Sequence, residues 1–74
     1  MPTQLENLKL EVIKIIKAEI AKQNLSQIES AQLLGVSPPR MSNLMHNKIS
    51  LFKFETLVGF GTRLGREIKI KVGE

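Results

Sequence analysis

The stretch LLGVSPPRMSNL, residues 33–44, decides how the chain folds. Two consecutive prolines cannot continue a helix, because each lacks a backbone N–H and its ring collides with the preceding turn. They can begin one. The first N–H groups of a helix have no partner within it, so proline at the first helical position loses no hydrogen bond. Ser37 supplies the side-chain oxygen of an N-cap. Gly35 supplies the left-handed residue on which a preceding helix ends. Only Gly35, Val36 and Ser37 lie between, so the stretch reads as helix, tight turn, helix.

Upstream, SQIE at residues 26–29 has the form of a capping box, in which Ser26 and Glu29 satisfy each other's backbone N–H. The helix it opens passes through Ala31, the small residue that a steep helix crossing needs. After the turn, Met41 and Leu44 pin the next helix. Ile28, Leu33 or Leu34, and Val36 are expected to complete a small core. Asn47 is a left-handed candidate for the end of that helix. The motif therefore spans about 26–47.

The flanking segments follow from periodicity. Leu5, Leu8, Val12, Ile16 and Ile20 recur at spacings of three and four, which predicts a first helix over about 5–23 ended by Asn24. Ile13 and Ile15 widen that stripe. Either the helix is deeply buried or one edge of it meets a second subunit. A fourth helix is expected over about 53–64, with Leu57, Phe60 and Leu64 on one face, Phe52 and Leu57 as a hydrophobic staple, and Gly65 as the stop. Gly59 and Gly61 inside it each cost about 1 kcal/mol against alanine. Last, EIKIKV at 67–72 alternates strictly, as a half-buried strand does. A lone strand needs a partner for its backbone. Antiparallel pairing of Ile68, Ile70 and Val72 segments across a two-fold dimer is the economical solution.

The totals bound the rest. At 74 residues the chain is expected to form one domain, residues 1–74. Without cysteine and with one histidine, it offers no disulfide framework, and neither a metal site nor a cofactor is expected. No nucleophile–base pair, glycine-rich phosphate loop or carboxylate cluster is present, so no enzyme is expected. With no signal-like or membrane-spanning segment, the cytoplasm is the expected compartment. The chain carries eleven Lys and Arg against seven acids, all Glu, and from residue 30 to residue 54 there is no acid at all. Arg40, Lys48 and Lys53 fall inside that window. A basic, acid-free segment is the electrostatic footprint of a phosphate-binding surface.

These residues together resemble the Cro/repressor-like XRE family of helix-turn-helix proteins, and within it the small regulators and HigA-type antitoxins. The resemblance runs over about residues 8–72 and rests on Ser26, Gln27, Ala31, Leu34, Gly35, Val36, Ser37, Pro39, Arg40, Ser42, Leu44, Lys48, Phe52, Leu57, Leu64 and Gly65. The chain departs from the family pattern at Pro38, where Gln is frequent, at Asn47, where Gly is usual, and at Lys53, which replaces a small N-cap.

The resemblance implies a mainly α, four- to five-helix repressor-like DNA-binding domain with one C-terminal β-strand. It also implies a dimeric, sequence-specific regulator of transcription that binds double-stranded DNA. The helix at 38–46 would enter the major groove of a palindromic operator. Pro38, Pro39, Arg40, Ser42 and Asn43 would form its exposed surface. Arg40 either bridges guanine O6 and N7 or contacts phosphate. Asn43 either pairs with adenine or is simply polar. Gln27 and Ser37, at helix N-termini, and Lys48 would meet the phosphate backbone. The alternative is an antitoxin that neutralises an RNase toxin and regulates its own operon.

Overall fold

The computed structural model describes residues 3–68. It contains four α-helices, α1 (Gln4–Lys22), α2 (Gln27–Leu34), α3 (Pro38–Met45) and α4 (Phe54–Arg63), with a 3-10 turn over Ile49–Leu51 before α4. α1 packs along α4, and α2 and α3 pack on one another and close over the space between them.

The helix ends account for this layout. Among the described residues four adopt positive φ, namely Asn24, Gly35, Asn47 and Gly65, and each stands at the end of one helix. In every case the residue after it donates its N–H back five positions, Leu25 to Ile20, Val36 to Ala31, Lys48 to Asn43 and Arg66 to Gly61. This is the Schellman closure, which satisfies the last carbonyls and turns the chain sharply. All four ends fall where the sequence places them.

The starts are equally specific. Ser26 and Glu29 form the expected capping box, with bonds of 2.8 and 3.0 Å. A second capping box, which the reading by period passes over, joins Thr3 and Glu6 and starts α1 one residue early. The threonine and glutamate three apart are its signal in the sequence. α4 starts after Lys53, which makes no side-chain cap. Phe52 and Leu57, both buried, staple that start instead.

One core joins all four helices. Val12, Ile13, Ile16 and Ile20 of α1 face Ala31 and Leu34 of α2, Met41 and Leu44 of α3, and Phe52, Leu57, Phe60 and Leu64 around α4. The apolar stripe of α1 outruns this core at its N-terminal end, where Leu5 is half exposed. Ile28 also departs from expectation. It is 66% exposed rather than part of the core. Its place in the first turn of α2 points it away from α3, and Leu34 rather than Leu33 fills the crossing.

The C-terminal end departs further. No strand occurs among the described residues, and Glu67 and Ile68 are irregular. Ile68 packs against the helical core, where a Cβ on Gly61 would overlap its Cδ1. Gly61 is therefore a close-packing position, while Gly59 faces open space. Ile68, expected in the dimer strand, is half-buried against the core of its own subunit. Ile70 and Val72, with the rest of the expected strand, lie outside the described residues.

A polar clamp holds this return. Gln23 Nε2 donates both to Glu19 Oε2 and to the Leu64 carbonyl, each at 2.8 Å, and Arg66 reaches Glu19 at 3.5 Å. Glu19 is thus a nearly buried carboxylate with partners on both oxygens. The Gln23 hydrogen bond holds its carboxyl below the ordinary range. Burial opposes this, and the charges of Lys22 and Arg66 and the Arg66 hydrogen bond reinforce it.

Two predictions follow from this packing. Gly59→Ala should stabilise the fold by about 0.5–1 kcal/mol, since it removes backbone entropy without a clash. Gly61→Ala should gain less or lose, and should recover the gain in an Ile68→Ala background; urea unfolding of the variants measures both. For Glu19, a lowered folded-state value means that its contribution is full above the ordinary glutamate value near 4.5 and is lost as pH falls through the lowered value. The stability difference between the wild type and Glu19→Gln should therefore shrink on acidification through that window. An unchanged difference would show that the carboxylate charge contributes nothing.

Candidate nucleic-acid interface

Each helix of the α2–α3 pair is eight residues long, too short to persist alone in water. Their mutual contact makes them stable. Ala31 is 3% exposed, and Met41 and Leu44 are fully buried, so the two backbones approach closely with a methyl group between them. Burying a side chain such as Met41 or Leu44 contributes about 1.5–3 kcal/mol. Ser30, also fully buried, donates its hydroxyl to the Ser26 carbonyl at 2.8 Å and leaves no unpaired polar atom at the crossing. Gly35 at φ 71° makes the turn, and Val36 tucks against the core.

That anchoring sets the outward face of α3. With about 100° between successive residues, burial of Met41 and Leu44 turns Pro39 and His46 directly away from the core. Ser42 and Asn43 lie on the two shoulders. Pro38, Pro39 and His46 are exposed, and Ser42 and Asn43 are half-buried. From the sequence, His46 near the helix end is expected to be a phosphate neighbour or a surface residue. The helical period places it on the same outward line as Pro39, and its Nδ1 lies 2.8 Å from the Ser42 carbonyl. A carbonyl only accepts, so Nδ1 carries the proton and the ring is held over the shoulder at Ser42.

Arg40 stands elsewhere. It lies on the flank of α3, roughly 70° from the buried direction by the same helical period. Its guanidinium carbon sits 4.3 Å from the centroid of the Phe52 ring, and Nη1 donates to the Leu51 carbonyl at 3.4 Å. Phe52 is fixed in turn by an edge-on contact with Phe60, centroids 6.2 Å apart. Such stacking contributes about 0.5–1 kcal/mol at accessible sites.

The helix starts differ in what they offer an anion. At α3 the prolines have no N–H, the Arg40 N–H is taken by Ser37 Oγ at 3.3 Å, and the Met41 N–H by the Ser37 carbonyl at 2.9 Å. Ser37 is the N-cap that the sequence predicts; its Oγ accepts from Arg40 and its O–H is left as a donor. At α2 the N–H groups of Gln27 and Ile28 have no partner within the helix, but the Glu29 carboxylate is folded over the same turn. Gln27 and Lys48 are both exposed. The structure thus gathers Pro39, Ser42 and Asn43 on one face and sets Pro38 and Arg40 on its two flanks.

This arrangement of two short helices across a glycine turn agrees with the comparison to known families. A family model described as a helix-turn-helix domain matches residues 2–73, and the chain belongs to that family of DNA-binding architecture. No curated protein matches it significantly. Among the described residues, no helix is long and apolar enough to cross a membrane, and no cluster of His, Cys, Asp or Glu could hold a metal ion.

Proposed function

We propose that the chain is a dimeric, sequence-specific regulator of transcription, close in kind to the XRE group, that lays α3 in the major groove of a palindromic operator. One observation carries the reading. α3 is anchored by two fully buried side chains, while its opposite face is presented outward in a segment without a single acid from residue 30 to residue 54. A major groove admits such a helix, and the absence of carboxylates lets it approach two phosphate strands. Asn43 is the side chain suited to a bidentate contact with adenine. Pro38 and Pro39 offer apolar contact to thymine methyl groups. Gln27, Lys48 and Lys53 suit the backbone on either side.

Dimerisation in this reading uses the alternating 67–72 segment through Ile68, Ile70 and Val72. Two copies of α3 would then address half-sites about one turn, ~34 Å, apart.

An antitoxin role is the second reading. The observation that favours it is a shallow groove lined by Leu10, Lys14, Lys17 and Asn47, a partly apolar, basic strip outside the outward face of α3. A protein toxin could occupy it while DNA occupies α3.

Selection from a random duplex library at two salt concentrations tests the regulator. A palindromic consensus is the expected result, and binding that weakens with salt but enriches no motif would refute sequence-specific regulation. For the antitoxin, Lys14→Glu with Lys17→Glu should abolish capture of the product of an adjacent short reading frame and leave DNA selection unchanged. Capture that survives both substitutions would remove the groove from consideration.

A further inference from the structure

The position of Arg40 carries an inference that rests on the DNA-binding reading and refines it. We infer that Arg40 is a pre-oriented phosphate clamp that positions α3 in the groove, and that it does not read a base. Three contacts define the geometry. The guanidinium face lies on Phe52 at 4.3 Å, Nη1 is held by the Leu51 carbonyl at 3.4 Å, and the backbone N–H is closed by Ser37 at 3.3 Å. The ring beneath is 2% exposed and braced by Phe60, so the platform belongs to the core and does not move with the side chain.

An arginine that bridges guanine O6 and N7 must extend from the outward face of the helix in the plane of the base pair. Arg40 starts from the flank. Reaching the groove floor would cost it both the stack on Phe52 and the bond to Leu51. Leaving it in place costs nothing. A guanidinium has five N–H donors in a planar fork, and the stack uses its face while Leu51 uses one donor. The edge that remains matches a phosphate oxyanion. Its surroundings agree with that ligand, because the connection from α3 to α4 carries Lys48 and Lys53 and no acid before Glu55. Sequence preference then falls to Pro39, Ser42, Asn43 and His46, the residues turned outward.

The test uses the full chain with Arg40→Ala, Arg40→Lys and Phe52→Leu, each checked for helix content by circular dichroism. The wild-type consensus duplex and a scrambled duplex serve as probes. Arg40→Ala should weaken binding to both probes by the same factor, about 3- to 10-fold. It should reduce the slope of log affinity against log salt by about one, and enrich the same consensus as the wild type. Phe52→Leu, if folded, should shift both affinities in the same direction with the consensus unchanged. Arg40→Lys, which retains charge without the stacking fork, should recover the salt slope but not the full affinity. Loss of preference at one base position in Arg40→Ala, with the scrambled probe unaffected, would overturn the clamp while leaving DNA recognition standing. A wild-type chain that binds neither probe nor any selected duplex would overturn both.

Discussion

The close approach of α2 and α3 is the constraint on which the rest of the molecule depends. Neither helix has the length to hold itself together, and each contributes only a few apolar side chains. A methyl group at Ala31 lets the two backbones meet, and Met41 and Leu44 then reach the isoleucines of α1. A larger residue at the crossing would push α3 outward and draw those anchors from the core. Overpacking of this kind costs typically 1–3 kcal/mol, a large share of what a domain of this size has to spare. The orientation of the outward face is a by-product of that packing.

The same economy governs the polar groups. Thr3, Ser26 and Ser37 close three helix starts with hydroxyl oxygens, and four left-handed residues close the ends. At the far side, Gln23 donates at once to a carboxylate and a carbonyl, which fixes the orientation of its amide because neither partner can donate. Among the described side chains, no buried polar atom is left without a partner. In so small a protein, a single orphaned group would cost about 1–3 kcal/mol.

Electrostatics and packing meet at Arg40. The residue seals the rim of the core by covering Phe52, and the same contact holds a cation on the flank of α3. A side chain that ordinarily forfeits much rotamer entropy on binding is here already ordered, so less is lost when a partner arrives. The device joins stability to recognition, and a change at Phe52 or Phe60 would be felt at the surface.

Much of this was legible in the amino-acid sequence, because it depends on neighbours a few residues apart. Helix ends at Asn24, Gly35, Asn47 and Gly65, caps at Ser26 and Ser37, the staple at Phe52 and Leu57, and the buried pair Met41 and Leu44 all follow from local spacing. The outward placement of Pro39, Ser42 and Asn43 follows from the same period. Tertiary structure alone decided the rest. Ile28 is exposed because the angle of α2 to α3, not hydropathy, determines what the crossing covers. Ile68 turns inward because Gly61, seven residues earlier on α4, has no Cβ and leaves a recess for its side chain. Arg40 lies on Phe52 because the turn that follows α3 folds back against the flank of that helix, a contact the helical period does not report. Periodicity reports which side of its own helix a residue occupies, but contacts between elements depend on how those elements are set against one another.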